Sequence, residues 1–332
     1  MKRNFIYLLI LVSIFMLSVV TGCKNKEKIN ESFVEKVNNL KSYKLVGKLE
    51  NNFPSGTKEC VVTTYYKAPN LFRVELLNPN SVESQIMVKN NNGVYVLIPS
   101  VNKTFKVNSS WPTNSSYPYL LQSLANDIVS DDNIISTTEG NDTVLELKAK
   151  LFKKEDVKQK IIFDSDNNLK QVLLYNDNND LITTFTVTSI EKDINLEDSL
   201  FDTSESLETL NVYYKENPLE YDRTLNYPTY YPEGTSLLEE VITGGTNNKF
   251  AIMTFSGASN YTITQKYLND DDNIRIEYVN GDIYTTGGIF VIADENNITF
   301  YNEGIQYTIA SNDLEVFEMI KMGDSLDSSD IK

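Results

Sequence analysis

SWPTNSSYPYLLQSLANDI (residues 110–128) holds the only tryptophan of the chain, Trp111, and interrupts a long succession of strand-like segments. Pro112 and the Asn-Ser-Ser run break the preceding strand, and Ser115 or Ser116 is placed to cap a helix. Tyr117, Leu120, Leu121, Leu124 and Ile128 then recur at helical spacing, whereas Gln122, Asn126 and Asp127 fall on the other side. A lone helix between strands must lay its apolar face on the sheet those strands form. The first domain is therefore expected to be built around this helix.

On either side the period is two. Before it, strands are expected at 42–50, 58–67, 71–77, 83–90, 93–98 and 103–107. After it they are expected at 133–138, 143–149, 157–164, 168–175 and 181–190. Links such as Pro54-Ser55-Gly56 and Asn92-Gly93 are short enough for hairpins, hence an antiparallel meander. Ahead of the strands, Ile29, Phe33, Val37 and Leu40 mark an amphipathic helix.

The first 22 residues read as an address. Lys2 and Arg3 precede an apolar run from Phe5 to Val20, which is shorter than the ~20 residues of a spanning helix. Val20-Thr21-Gly22-Cys23 resembles a bacterial lipoprotein box, which implies that Cys23 becomes the lipidated first residue, anchored on the outer face of a membrane. Residues 24–28 then read as a polar tether.

Loss of Lys2 and Arg3 with that segment takes the net charge from −16 to −18. So acidic a chain repels nucleic acid, and no nucleic-acid partner is expected. With Cys23 lipidated, Cys60 is the sole thiol, so no internal disulfide forms. The chain has no histidine, which removes the ordinary Ser-His-Asp and Cys-His arrangements and the commonest nitrogen ligand of zinc. The Asp/Asn runs at 164–167 and 176–180 lack the spacing and closing glutamate of a calcium loop and read as turns. No enzyme activity, metal or cofactor is expected.

Residues 191–226 are acidic without a clear period and read as a boundary, with 201–226 a linker. From Tyr227 strands are expected at 236–243, 249–256, 260–267, 274–279, 289–293, 297–301 and 304–310. A closing helix follows, with Asn312 and Glu315 as a capping pair. The expected division is a leader (1–22), a tether (23–28), a first domain (29–200), the linker, a second domain (227–326) and a tail (327–332).

The segments YYKAPNLFRVEL (65–76), SQIMVKNNNGVYVLIPSVNKTFKV (84–107) and the opening stretch are similar to the LolA-like lipoproteins of spore-forming bacteria, the YdcC- and GerS-like group. The resemblance spans residues 30–200 and is most specific at Asn92–Tyr95, Pro99–Phe105 and Trp111–Ser116. It implies an α+β fold: a curved, unclosed antiparallel β half-barrel with helices over its mouth. The smaller antiparallel β domain with its C-terminal helix follows, and the pair resembles the two-domain regulators RseB and MucB.

Three functions follow from the resemblance. One is a scaffold or activator of a protein partner in sporulation or germination, such as a spore-cortex amidase. Another is a binder of acyl chains in the half-barrel cavity, and the last is an envelope sensor acting on an anti-sigma factor. The matched motifs make Phe72, Arg73, Tyr95, Trp111 and Tyr117 the candidate ligand or partner contacts. The four aromatics read equally as core.

Overall fold

From Ser42 the chain alternates buried and half-buried residues, with Tyr43, Leu45 and Leu49 turned inward, as a strand with one face on a core must. The computed structural model describes residues 23–78, 84–151, 154–217, 219, 224–245, 249–268 and 275–327. The leader and residues 328–332 of the expected tail lie outside them.

The first sheet is built from β1 (Ser42–Phe53), β2 (Gly56–Lys67), β3 (Leu71–Leu77), β4 (Ser84–Asn90), β5 (Gly93–Ile98), β6 (Lys103–Asn108), β7 (Ile135–Glu139), β8 (Asp142–Leu151), β9 (Lys154–Phe163), β10 (Leu169–Tyr175) and β11 (Leu181–Lys192). Two meanders, β1 to β6 and β7 to β11, meet where β1 pairs antiparallel with β11. The ends of the sheet do not meet, so the barrel stays open. At the seam Gly47 is obligatory, because a Cβ there would stand 2.4 Å from the Phe185 ring. The expected half-barrel is the fold.

Its concave face carries two helices, α1 (Cys23–Asn39) and α2 (Leu121–Ser130). Val37 and Leu40 from the α1 end and Leu121, Leu124 and Ile128 from α2 join the main apolar core. Both helices depart from expectation. α1 starts at Cys23, so the segment expected as a tether is helical. α2 starts four residues later than Tyr117. Leu120 is its N-cap, in extended conformation and without a side-chain cap. The hydroxyls of Ser115 and Ser116 are engaged with Lys150 and Asp127 instead.

The acidic segment after β11 is also ordered, with a helix α3 (Thr203–Glu216) in place of a plain linker. The Asp202 side chain accepts from the backbone N–H groups of Ser204 and Glu205, satisfying donors a helix start otherwise leaves orphaned. Leu207 and Tyr214, two turns apart, are buried. Leu207 packs with Phe201 and Leu196 against Ile86, Val88, Tyr95 and Leu97 on the convex face of the sheet. The sheet is therefore apolar on both faces at β4 and β5.

The C-terminal half contributes β12 (Tyr227–Pro228), β13 (Thr235–Thr243), β14 (Phe250–Gly257), β15 (Tyr261–Tyr267), β16 (Arg275–Asn280), β17 (Asp282–Thr286), β18 (Ile289–Ala293), β19 (Asn297–Asn302), β20 (Ile305–Ser311), α4 (Val316–Asp324) and β21 (Leu326–Asp327). Seven of these strands form a second sheet in the order β13-β14-β15-β20-β19-β18-β17. Met319, Ile320 and Met322 of α4 bury against it.

Three features of this half differ from the sequence reading. β17 was not expected as a strand. Asn312 and Glu315 do not form the expected capping pair: Glu315 is itself the N-cap residue, with no side-chain cap, and Ser311 Oγ accepts from the N–H groups of Asp313 and Leu314 in the turn before it. And β16 leaves the second sheet to pair parallel with β6, from Arg275 beside Lys103 to Asn280 beside Asn108, as the edge of the first.

Candidate functional site

The mouth of the half-barrel is the natural place for a ligand, and residues 109–120 run across it. Trp111 N–H donates to Ser109 Oγ at 3.1 Å, Thr113 N–H to Ser110 O at 3.0 Å, and the Trp111-Pro112 bond is cis. The carbonyl of Trp111 accepts from Lys89 Nζ at 2.9 Å. Further on, Ser116 N–H donates to Lys150 O at 2.7 Å while its Oγ accepts from Lys150 N–H at 2.9 Å and donates to Asp127 Oδ1 at 2.8 Å. The loop is thus stitched to β8 and α2 by its own serines.

So anchored, the loop turns its aromatics inward. Trp111 is fully buried and stands edge-on to Phe72 at 5.5 Å and to Tyr117 at 6.0 Å. Tyr117 neighbours Tyr119 at 6.0 Å, and Tyr119 neighbours Phe185 at 6.4 Å. Such edge and tilted pairs suit the ring quadrupoles. Burial pushes the Tyr117 and Tyr119 phenols well above their ordinary range, so both stay protonated. Tyr117 Oη reaches Ile283 O at 2.8 Å and Tyr119 Oη reaches Thr285 Oγ1 at 2.6 Å. Both partners lie on β17.

The second domain closes what the loop begins. Ile283, Phe290, Ile292 and Tyr301 belong to the main core, and Tyr301 stacks on Phe105 at 4.6 Å. The buried side chain of Gln85 bridges the halves, donating from Nε2 to Tyr301 O at 2.7 Å and accepting at Oε1 from Phe290 N–H at 2.9 Å. Nearby, Asn51 Oδ1 accepts from Gly287 N–H, and Lys58 pairs with Asp324 at 3.2 Å. Gly287 and Gly288, both at positive φ, let the turn lie against Lys58 and Cys60. The Cys60 thiol is buried there, and desolvation pushes it up to about 12, which leaves it unreactive.

A pocket of about 40 Å³ lies beside Leu49, Tyr117, Tyr284 and Phe317, above the ~10–15 Å³ that one water needs. Two larger grooves flank α1, and the smaller of them is floored by the core residues Val37, Leu40, Leu121 and Leu169. One, of about 800 Å³, runs between Val34 and Ile128; the other, of about 470 Å³, runs between Phe33 and Ile190. A third, of about 350 Å³, lies between the halves at Lys58 and Asp324.

The candidate contacts therefore divide into two groups. Phe72, Trp111 and Tyr117 come together in the core beneath the mouth. Arg73 and Tyr95 lie on the opposite, convex face. Arg73 is buried under α3, where it pairs with Glu75 at 2.6 Å and donates to Ser206 Oγ and Leu200 O. Tyr95 is also buried there, with Lys106 over its ring at 5.6 Å. All five side chains are buried, and the Trp111 Nε1–H finds no acceptor among the described residues. The side chain of Cys23 is outside the described residues.

Gln85 and Asp127 carried no signal in the sequence that marked them as structural. Asp127, expected to point to solvent, accepts from Ser116 Oγ, and burial pushes its carboxyl up to about 7 against the opposing help of Ser116 and Lys150. Among the described residues no cluster of acidic or cysteine side chains is placed to hold a metal ion. No described helix is long and apolar enough to cross a membrane.

An open antiparallel half-barrel with helices over its mouth and a second β sheet closing it defines an α+β protein of half-barrel fold. Within that class the chain belongs to the family described as sporulation protein YdcC-like, which matches residues 2–201. It is 27% identical over its whole length to the sporulation protein YdcC of Bacillus subtilis strain 168, of which the match covers 99%. Among solved structures it is similar to the MucA/MucB complex of Pseudomonas aeruginosa, at 12% identity and a TM-score of 0.30 over 90% of this chain and 97% of that one. A LolA superfamily protein of Nitrosomonas europaea is similar at 13% identity and a TM-score of 0.31, over 52% of this chain and 97% of that one.

Proposed function

We propose that the chain is a lipid-anchored, extracytoplasmic docking protein of sporulation or germination, without catalytic chemistry of its own, that holds or activates a protein partner such as a spore-cortex amidase. The observation that carries this reading is the filled mouth. Trp111, Tyr117 and Tyr119 occupy the concave face where a carrier of acyl chains keeps its cavity, and the pocket beside them is about 40 Å³. Binding of an acyl chain there requires the loop to leave, breaking the serine and tyrosine hydrogen bonds that hold it. With the loop in place, recognition falls to the outer surface.

Membership of the sporulation family supports the setting, and the lipoprotein-box resemblance at Val20–Cys23 supports the anchor. The test is purification of the intact lipoprotein from sporulating cells, with native mass spectrometry and co-purification against candidate cortex amidases. We expect no lipid beyond a diacylglyceryl-type anchor at Cys23, and an amidase whose activity or level falls when the protein is deleted. A second, non-covalent acyl ligand with no protein partner overturns the docking reading in favour of the carrier.

A further inference from the structure

We propose that the free edge of β13 is a docking strand for an extended, basic segment of a partner protein. The inference rests on the docking reading above and names the surface that does the docking. β13 pairs with β14 on one side and ends the second sheet on the other. The opposite end of that sheet, β17, is covered, with Ile283 and Tyr284 buried. An uncovered edge presents a row of backbone donors and acceptors, which an added strand satisfies.

Side chains distinguish this edge from the others. Among the described residues, Leu237, Leu238, Val241 and Ile242 of β13 are exposed, Leu238 at 69%. The ends of the first sheet show fewer large apolar groups: Ile276 and Tyr278 on β16, and Ile135 on β7. The β13 sequence TSLLEEVIT has neither the lysines nor the prolines with which proteins blunt an edge. A register shift between Leu237 and Glu239 bends the first half of the strand, so the straight part that can accept a partner is Glu239 to Thr243.

Charge selects the occupant. Glu239 is exposed and Glu240 is held by Tyr227 Oη at 2.8 Å, while no Lys or Arg lies in the strand. Antiparallel pairing of two copies over Glu239–Thr243 sets Glu239 opposite Thr243 and gives it no opposite charge. A segment with Lys or Arg opposite Glu239 and a β-branched residue opposite Val241 meets complementary charge and apolar surface together.

The probe is the acetylated seven-residue peptide Lys-Thr-Val-Thr-Lys-Thr-Val, whose Lys and Val alternate along one face of a strand, titrated onto the whole protein. Saturable binding is expected, with slowed amide exchange confined to 235–243, and both lost at least tenfold in Val241→Lys and in Glu239→Lys, two exposed positions where the fold tolerates a lysine. Equal binding by the same peptide N-methylated at alternate residues, or protection elsewhere, overturns the proposal by showing charge attraction alone. So does self-association that Val241→Lys abolishes. An amidase captured equally by the intact protein and by Val241→Lys refutes the edge and leaves the docking reading standing. Capture by neither removes the docking reading and the inference with it.

Discussion

Asp127 carries the sharpest expectation at the scale of a single residue. Its carboxyl is pushed up to about 7 by desolvation in the fold, against ~3.9 in an unfolded chain. Between those values the folded state binds the extra proton, so its contribution to stability is complete below about pH 4 and lost as pH rises through about 7. Asp127→Asn keeps an acceptor for Ser116 and cannot ionise. Urea melts are expected to show it more stable than the parent at pH 8, by a few kcal/mol at ~1.4 kcal/mol per unit, with the gap closing toward pH 4. A gap independent of pH contradicts this account. Asp127 also shows why single residues were hard to read. Its helical position points away from the apolar stripe, and the groups that meet it come from far along the chain: Ser116, eleven positions back, and Gln159, 32 positions on.

Elements were legible where the period alone decides them. Each strand expected in the first domain exists, because alternation over a half-buried sheet leaves a pattern of two in any window. Helix starts were not, because the partner of a capping side chain decides them. Ser115 and Ser116 look like caps, but Lys150, 34 or more residues away, takes them. α3 was hidden for the opposite reason. Its apolar positions are few, and its stability comes from the Asp202 cap and from Arg73 beneath it. Asp202→Ala is therefore expected to cost about 1 kcal/mol, and its effect is expected to be local. Hydrogen exchange should quicken across 203–216 while β8 to β11 keep their protection. Uniform quickening over the whole chain argues against a separable α3.

At the scale of the whole molecule the two halves share one core, so they are expected to unfold together. Gln85 is the test, because its amide joins Tyr301 and Phe290 across the boundary. Gln85→Ala strands two buried backbone groups, each costing about 1–3 kcal/mol. Cys60, sealed by the Gly287-Gly288 turn, reports the opening. Its labelling by a thiol reagent is expected to require global unfolding in the parent and to precede it in Gln85→Ala. Unchanged labelling means the halves are held by other contacts. The sequence reading found the second group of strands but divided them wrongly, since nothing local in 275–280 says that its neighbour is β6. That pairing has a consequence in time. Asn108 and Asn280 are 172 residues apart, so at ~5–20 residues per second a growing chain waits roughly ten to thirty seconds between making β6 and making the strand that covers it. For that interval the nascent protein carries a bare edge, and a product cut short before residue 275 never loses it. Completion of the chain is thus written into whether its first sheet is finished, and an incomplete copy advertises itself to whatever clears unfinished protein.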